Sequence, residues 1–521
     1  MTKTRSTVND GLKNQLETFF LTNFRWFWAL VQSIGVVRRW INRWLINQAI
    51  HKAPTRPHVL STLTPYTSWD SLTDRTYSGR HLPPVEGDES TLPPAEEVAQ
   101  ALFARRGEII VCPKSTVLFS YFAQWFTDGF LRIDRFDWLK NTSNHDIDIS
   151  PLYGINRQIT NLLRSHQDGK LKSQIIQGEE YPPYAFQAGV LKEEFYSSVK
   201  NFSLEVGYPE SLDPAKRAKL FAMGKERGNV QIGYLMMNTL FLREHNRICD
   251  LLAAANPTWD DERLFQTARN ILIVLLIKIV VEEYINHIAP YHFKFLADPT
   301  AFKNEKWYRQ NWMTLEFNLL YRWHSLVPDL ITFKDQTFAL EQTQWNTELL
   351  TSQGLGVWFE AASQQPAGKI GLLNTTHSLI PAEINSIKIG RKAQLASYND
   401  YRELCQFPRV TDFNQITANE IVQAELRRLY GQVDRIELYV GLFAEDTRKN
   451  SAVGALIGRL VGVDAFSQAL TNPLLAQPIF NEKTFTSLGV EIINATHNLS
   501  EILHRNLPTQ NQKFQVTMTR Q

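Results

Sequence analysis

One stretch places a phenol and an imidazole three residues apart: Glu316-Phe317-Asn318-Leu319-Leu320-Tyr321-Arg322-Trp323-His324-Ser325-Leu326-Val327-Pro328-Asp329. Pro328 cannot continue a helix, so the stretch reads as a helix closed there. Phe317, Leu320, Tyr321 and His324 then share one face. A buried imidazole on such a face either satisfies itself by hydrogen bonding or ligates a metal through one nitrogen while the other finds a partner. Taken alone, a helical histidine is more often the first kind. The phenol one turn away is a second redox-capable group within reach of whatever the imidazole holds.

The pattern Glu-Phe-Asn-x-Leu-Tyr-x-Trp-His-x-Leu-x-Pro-Asp closely resembles the proximal heme segment of the cyclooxygenases, a branch of the animal-type heme peroxidases. The resemblance implies heme b with one iron, His324 as its axial ligand and Tyr321 as the radical-bearing tyrosine. Asn318 and Trp323 belong to the same segment. Further stretches carry the likeness: Leu242-Arg243-Glu244-His245-Asn246-Arg247, Leu264-Phe265-Gln266-Thr267-Ala268-Arg269, Ile277 to Tyr284, and Gln365-Pro366-Ala367-Gly368-Lys369-Ile370-Gly371. It runs from about residue 20 to residue 500 and implies a mainly α, animal heme peroxidase-like catalytic domain.

Where the family carries a distal Gln and His over the open face of the heme, this chain reads Phe122-Ala123-Gln124-Trp125-Phe126-Thr127-Asp128. Gln124 is kept and Asp128 stands at the His position. Peroxide cleavage needs a group that takes a proton from one oxygen and returns it to the other. Three readings of Asp128 stay open: a substitute acid–base group, a structural carboxylate with weak peroxidase turnover, or a pocket that no longer binds heme. Arg132 falls at a family Lys near the heme rim, where it would pair with a propionate.

On the substrate side, the resemblance makes Tyr284 the hydrogen-bonding partner of Tyr321 and places Tyr291 at the mouth of a fatty-acid channel. The Arg that the family pairs with Tyr291 is missing, its position falling near Ala49. Arg459 stands where the family has that Arg's Glu partner. This charge swap makes Arg459 with Tyr291 the expected carboxylate clamp, since a guanidinium grips a carboxylate with two parallel hydrogen bonds. Arg448 and Lys52 are the fallback cations. Ala465 replaces the serine that aspirin acetylates, and Gly458 replaces a bulkier aliphatic residue. The expected reaction is dioxygenation of a polyunsaturated fatty acid by O2, a single oxygenation to a hydroperoxide more than a prostaglandin endoperoxide. The rivals are a heme peroxidase of small reductants and a heme-poor, non-catalytic lipid-binding homologue.

The elements that must position these residues follow from the rest of the chain. Its 521 residues, 43% hydrophobic, suffice for a large core. A formal charge of +2 gives no case for nucleic acid. Three cysteines make neither a disulfide framework nor a metal spacing. Residues 1–16 read as a polar tail without a secretory signal's apolar core. Residues 17–52 combine Phe19, Phe20, Phe24, Trp26, Trp28, Trp40 and Trp44 with interleaved Arg, in no apolar run near the ~20 residues of a span. They suit short amphipathic helices lying in one leaflet, and they resemble the family's membrane-binding helices. Residues 53–521 form the catalytic domain, opening with an extended wrap over 53–98. Thr258-Trp259-Asp260-Asp261 reads as an N-cap opening a helical run from Arg263 to Ile288, whose apolar middle, Ile271 to Val281, is a buried core helix. The resemblance also implies a homodimer. The missing signal and the missing EGF-like module suggest a monotopic protein on the cytoplasmic side of a bacterial cell.

Overall fold

A computed structural model describes residues 11–53, 75–87, 89–195, 212–225, 228–509 and 512–520. Much of the expected wrap, including Ser68-Trp69-Asp70-Ser71, lies outside them, as does most of the expected N-terminal tail. The first helix, α1, spans Leu12–Thr22 and so begins inside that tail. It is followed by α2 (Arg25–Ser33) and α3 (Gly35–Ile50).

The catalytic body is mainly helical, and strands pair only two at a time among the described residues. Its centre is an antiparallel pair, α4 (Ile232–Ala255) and α5 (Asp261–Ile279). Asp260 caps α5 by accepting the Arg263 N–H at 2.8 Å. Asp261 and Glu262 complement the positive end of the helix dipole. From Ile271 to Ile279 every residue is buried, and the Lys278 ammonium reaches the Ile493 carbonyl at 2.5 Å. Among the described residues only the run from Asp261 to Ile288 is long and apolar enough to cross a membrane, and it is buried in the core. The run does not stay α-helical. A π-helical turn over Val280–Ile285 widens it and presents Tyr284.

Two more helices frame the site. The helix α6 (Val117–Thr127) packs on α4, and α7 (Ala455–Leu470) packs on α3. The proximal segment departs from the single helix that its sequence suggests. Helix α8 spans only Leu315–Leu320, capped by Thr314 Oγ1 accepting the Phe317 N–H at 3.1 Å. The chain turns at Tyr321 and resumes as a 3₁₀ turn over His324–Leu326. Tertiary bonds break the helix before Pro328 can. The Ser325 carbonyl lies where a Cβ on Gly368 would stand, 2.0 Å away, and Asn374 Nδ2 donates to it at 3.4 Å. The Gly371 N–H donates to Ser325 Oγ at 3.3 Å. Gly368 is therefore required by close backbone approach, which gives the motif from Gln365 to Gly371 its physical sense.

Candidate active site

Despite the break, Tyr321 and His324 line one cavity of about 1370 Å³. The helix α6 contributes Gln124 and Asp128 to the same cavity, and Asn318, Trp323, Leu326, Val327 and Ile331 complete much of its wall. His324 Nδ1 lies 3.2 Å from Glu383 Oε1. Its Nε2 makes no hydrogen bond among the described residues and is left to the cavity. A roomy cavity of mixed apolar and polar wall, with one imidazole nitrogen free of protein partners, would suit a heme held through His324. No cluster of His, Cys, Asp or Glu among the described residues offers a metal a site of its own.

Tyr321 sits inside an aromatic cage. Its ring lies 6.5 Å from Tyr284 with the planes 20° apart, 4.9 Å from Trp323, and edge-on to Phe317 at 4.9 Å. The two hydroxyls lie close enough to act on each other's ionisation as hydrogen-bond partners, although their alignment falls short of a well-formed bond. Tyr284 and Tyr321 are thus brought together as a near-parallel stack whose hydroxyls approach each other. Burial drives both phenols well above their ordinary pKa, and the Asp464 carboxylate adds to the effect on Tyr321. Loss of an electron from either ring must therefore be accompanied by loss of its proton.

The distal residues are tied to partners. Gln231 Nε2 donates to Gln124 Oε1 at 2.8 Å. The Asp128 carboxylate forms an ion pair with the Lys225 ammonium, a residue the sequence reading missed. Arg132 is not brought to the cavity wall; its Nε donates to Thr142 Oγ1 at 3.4 Å. Asn318 is brought there, and its Oδ1 accepts from Arg322 Nη2 at 3.1 Å.

A second cavity, of about 850 Å³, lies under α1 and α3. Tyr291, Arg459, Arg448 and Lys52 all line it, so the expected clamp and both fallback cations meet in one place. Arg459 is not a solvated surface side chain. Its guanidinium lies 4.6 Å over the Phe407 ring and donates to the Cys405 carbonyl and to Asn14 Oδ1, both at 3.1 Å. Burial lowers its pKa. Burial raises the Tyr291 phenol against the pull of Arg448 and Arg459. A Cβ on Gly458 would meet only Val453, at 3.6 Å, so the missing side chain leaves room at this wall. The two cavities share no lining residue. The helix α7 connects them: Arg459 and Phe466 face the outer one, while Asp464 acts on Tyr321. Ala465 is buried and lines neither.

Comparison with known proteins agrees with this arrangement. The family model for animal haem peroxidases matches residues 138–518, and the chain belongs to that family. Within it, the chain is similar to prostaglandin G/H synthase 2 of Equus caballus, with 33% identity over 503 residues covering 94% of this chain and 80% of that protein. It is 34% identical to prostaglandin G/H synthase 1 of Rattus norvegicus over 505 residues, with the same coverage. The fold also matches the fatty acid alpha-dioxygenase of Arabidopsis thaliana, with a TM-score of 0.68 and 17% identity over 93% of this chain and 87% of that one. Peroxidase A from Dictyostelium discoideum gives a TM-score of 0.66 and 19% identity over 86% of this chain and 96% of that one.

Proposed function

We propose that the chain is a heme-dependent dioxygenase of polyunsaturated fatty acids, working through a radical on Tyr321. The observation that carries this reading is the placement of Tyr321 on the wall of the cavity that His324 also lines, with its ring stacked on Tyr284 inside an aromatic cage. Similarity to the prostaglandin G/H synthases over 94% of the chain supports the same reading. Heme b, when bound through His324, supplies a peroxide-activated one-electron oxidant.

The protein's residues do the rest. Tyr321 gives up the electron and its phenolic proton together, both to that oxidant. The neutral radical takes a bis-allylic hydrogen atom from the fatty acid. O2 adds to the carbon radical, and the resulting peroxyl radical takes the hydrogen back from the Tyr321 phenol, leaving a hydroperoxide and regenerating the Tyr321 radical for the next turnover. Tyr284 holds the ring in place, and Trp323 and Phe317 keep water from it. Arg459 and Tyr291 hold the carboxylate at the mouth, about five residues along α7 from Asp464, so that helix sets how far the chain reaches toward Tyr321.

Peroxidase action on small reductants is the weaker reading. Asp128 spends its carboxylate on Lys225, and Gln124 spends its carbonyl on Gln231, so neither is poised to shuttle a proton between peroxide oxygens.

Attachment to one leaflet is part of the proposal. Trp26 is 71% exposed and Trp40 66% exposed on α2 and α3, and Phe19 on α1 is exposed as well. Such a set of aromatics around the outer cavity suits a substrate delivered from lipid. A homodimer rests on the family resemblance alone. The test is oxygen uptake with linoleate by heme-loaded protein: His324→Ala is expected to lose both the Soret band and the uptake, and uptake that survives loss of the band would overturn the proposal.

A further inference from the structure

Glu383 is a carboxylate on an otherwise apolar helix face. The helix α9 spans Ile380–Lys392, and Ile380, Glu383 and Ile387 are buried along one side of it. The Glu383 side chain is 2% exposed. A carboxylate so buried needs donors on both oxygens. It has them: Thr375 Oγ1 donates to Oε1 at 2.8 Å and the Tyr439 hydroxyl donates to Oε2 at 2.5 Å. The third group against it is His324, whose Nδ1 stands 3.2 Å from Oε1. That nitrogen is buried, and its N–H direction misses hydrogen-bond alignment, so it is left without another partner. Arg322, buried on the same segment, adds positive potential around Glu383.

We propose that Glu383 is the positioning residue for the axial histidine, accepting the Nδ1–H of His324 and so presenting Nε2 to the cavity as a strong donor. This rests on the heme reading above. The hydrogen bond fixes the tautomer, because a proton on Nδ1 leaves Nε2 with its lone pair. A carboxylate acceptor also gives the imidazole more anionic character than a carbonyl or water would. Tyr439 and Thr375 moderate this effect by drawing charge from the carboxylate. The strength of the axial donor is therefore set by three side chains from separate parts of the chain.

The test uses full-length, heme-loaded protein and two variants. The Fe–His stretching band of the ferrous protein and the heme midpoint potential are the readouts, because a merely structural glutamate would move neither. Glu383→Gln keeps the size of the side chain and weakens the acceptor. A downshift of the Fe–His band and a more positive potential are expected. Tyr439→Phe frees one carboxylate oxygen from a competing donor, and the opposite shifts are expected. If Glu383→Gln does not fold, Tyr439→Phe alone decides. Variants that bind heme with band and potential unmoved would overturn the inference and leave the heme reading standing. A wild-type protein that shows no Soret band when supplied with heme would overturn the heme reading itself.

Discussion

The rings of Tyr284 and Tyr321 lie nearly parallel, 20° apart in plane and 6.5 Å between centroids, with both hydroxyls buried and facing each other without a well-aligned bond. Buried hydroxyls without well-aligned bonds cost stability, and such a cost is kept where function uses the groups. The account makes Tyr284 the holder of the radical ring. Tyr284→Phe keeps the stack and removes the hydroxyl. It should leave heme content unchanged, lower the rate of oxygen uptake several-fold, and alter the radical's EPR line shape. An unchanged line shape would mean that the two phenols do not communicate.

The distal pair gives a second expectation. Asp128→His restores an imidazole at the proton-transfer position and should raise peroxidase turnover with a generic reductant. A positioned imidazole typically contributes about 10²–10⁴-fold, and a remodelled pocket should recover only the low end. Lys225 loses the Asp128 carboxylate in that variant and stays a cation beside the new imidazole, so adding Lys225→Gln should raise turnover further. Equal turnover in the wild type and both variants would show that Asp128 is not what limits peroxide cleavage.

At the outer cavity, Arg459→Ala should raise KM for a free fatty acid roughly tenfold, equal to about 1.4 kcal/mol of lost binding, with kcat little changed. The methyl ester of the same acid should be indifferent to the substitution. If acid and ester respond alike, the guanidinium is holding Asn14 and Cys405 and not the substrate.

Glu283 makes the protein's stability depend on pH. Burial raises its carboxyl pKa to about 7. The folded state thus binds this proton more tightly than the unfolded state does. The stabilising contribution is present below the unfolded pKa and is lost as pH rises through 7. Glu283→Gln removes the titration while keeping an acceptor for the Leu499 N–H. The variant should be more stable than wild type at pH 8, by about 3 kcal/mol and with a higher melting temperature, and the gap should close by pH 4. Thermal melts across that range decide it.

The same contrasts show what the sequence could and could not reveal. Tyr321 and His324 were legible because their chemistry sits in one short segment. The buried run Ile271 to Ile279 was legible because seven successive apolar residues before Lys278 leave the helix no polar face to turn to water. The helix break at Tyr321 was not, because its cause lies in Ser325 meeting Gly368 and Asn374 across the fold. Lys225 and Glu383 were missed for the same reason: each meets its partner only in three dimensions. The one trace that Glu383 leaves in the sequence is a charge on an apolar helix face. Arg459 could be inferred from charge bookkeeping at the mouth, but its cation–π seat on Phe407 could not.

The central claim is that Tyr321 is the atom-transfer group beside a heme held by His324. It is tested most directly by oxygen uptake with linoleate in heme-loaded Tyr321→Phe, measured beside wild type at matched Soret absorbance. The account expects the band to be intact, the uptake to be abolished, and the tyrosyl EPR signal that wild type develops on peroxide addition to be lost. Uptake by the phenylalanine variant at the wild-type rate would contradict it.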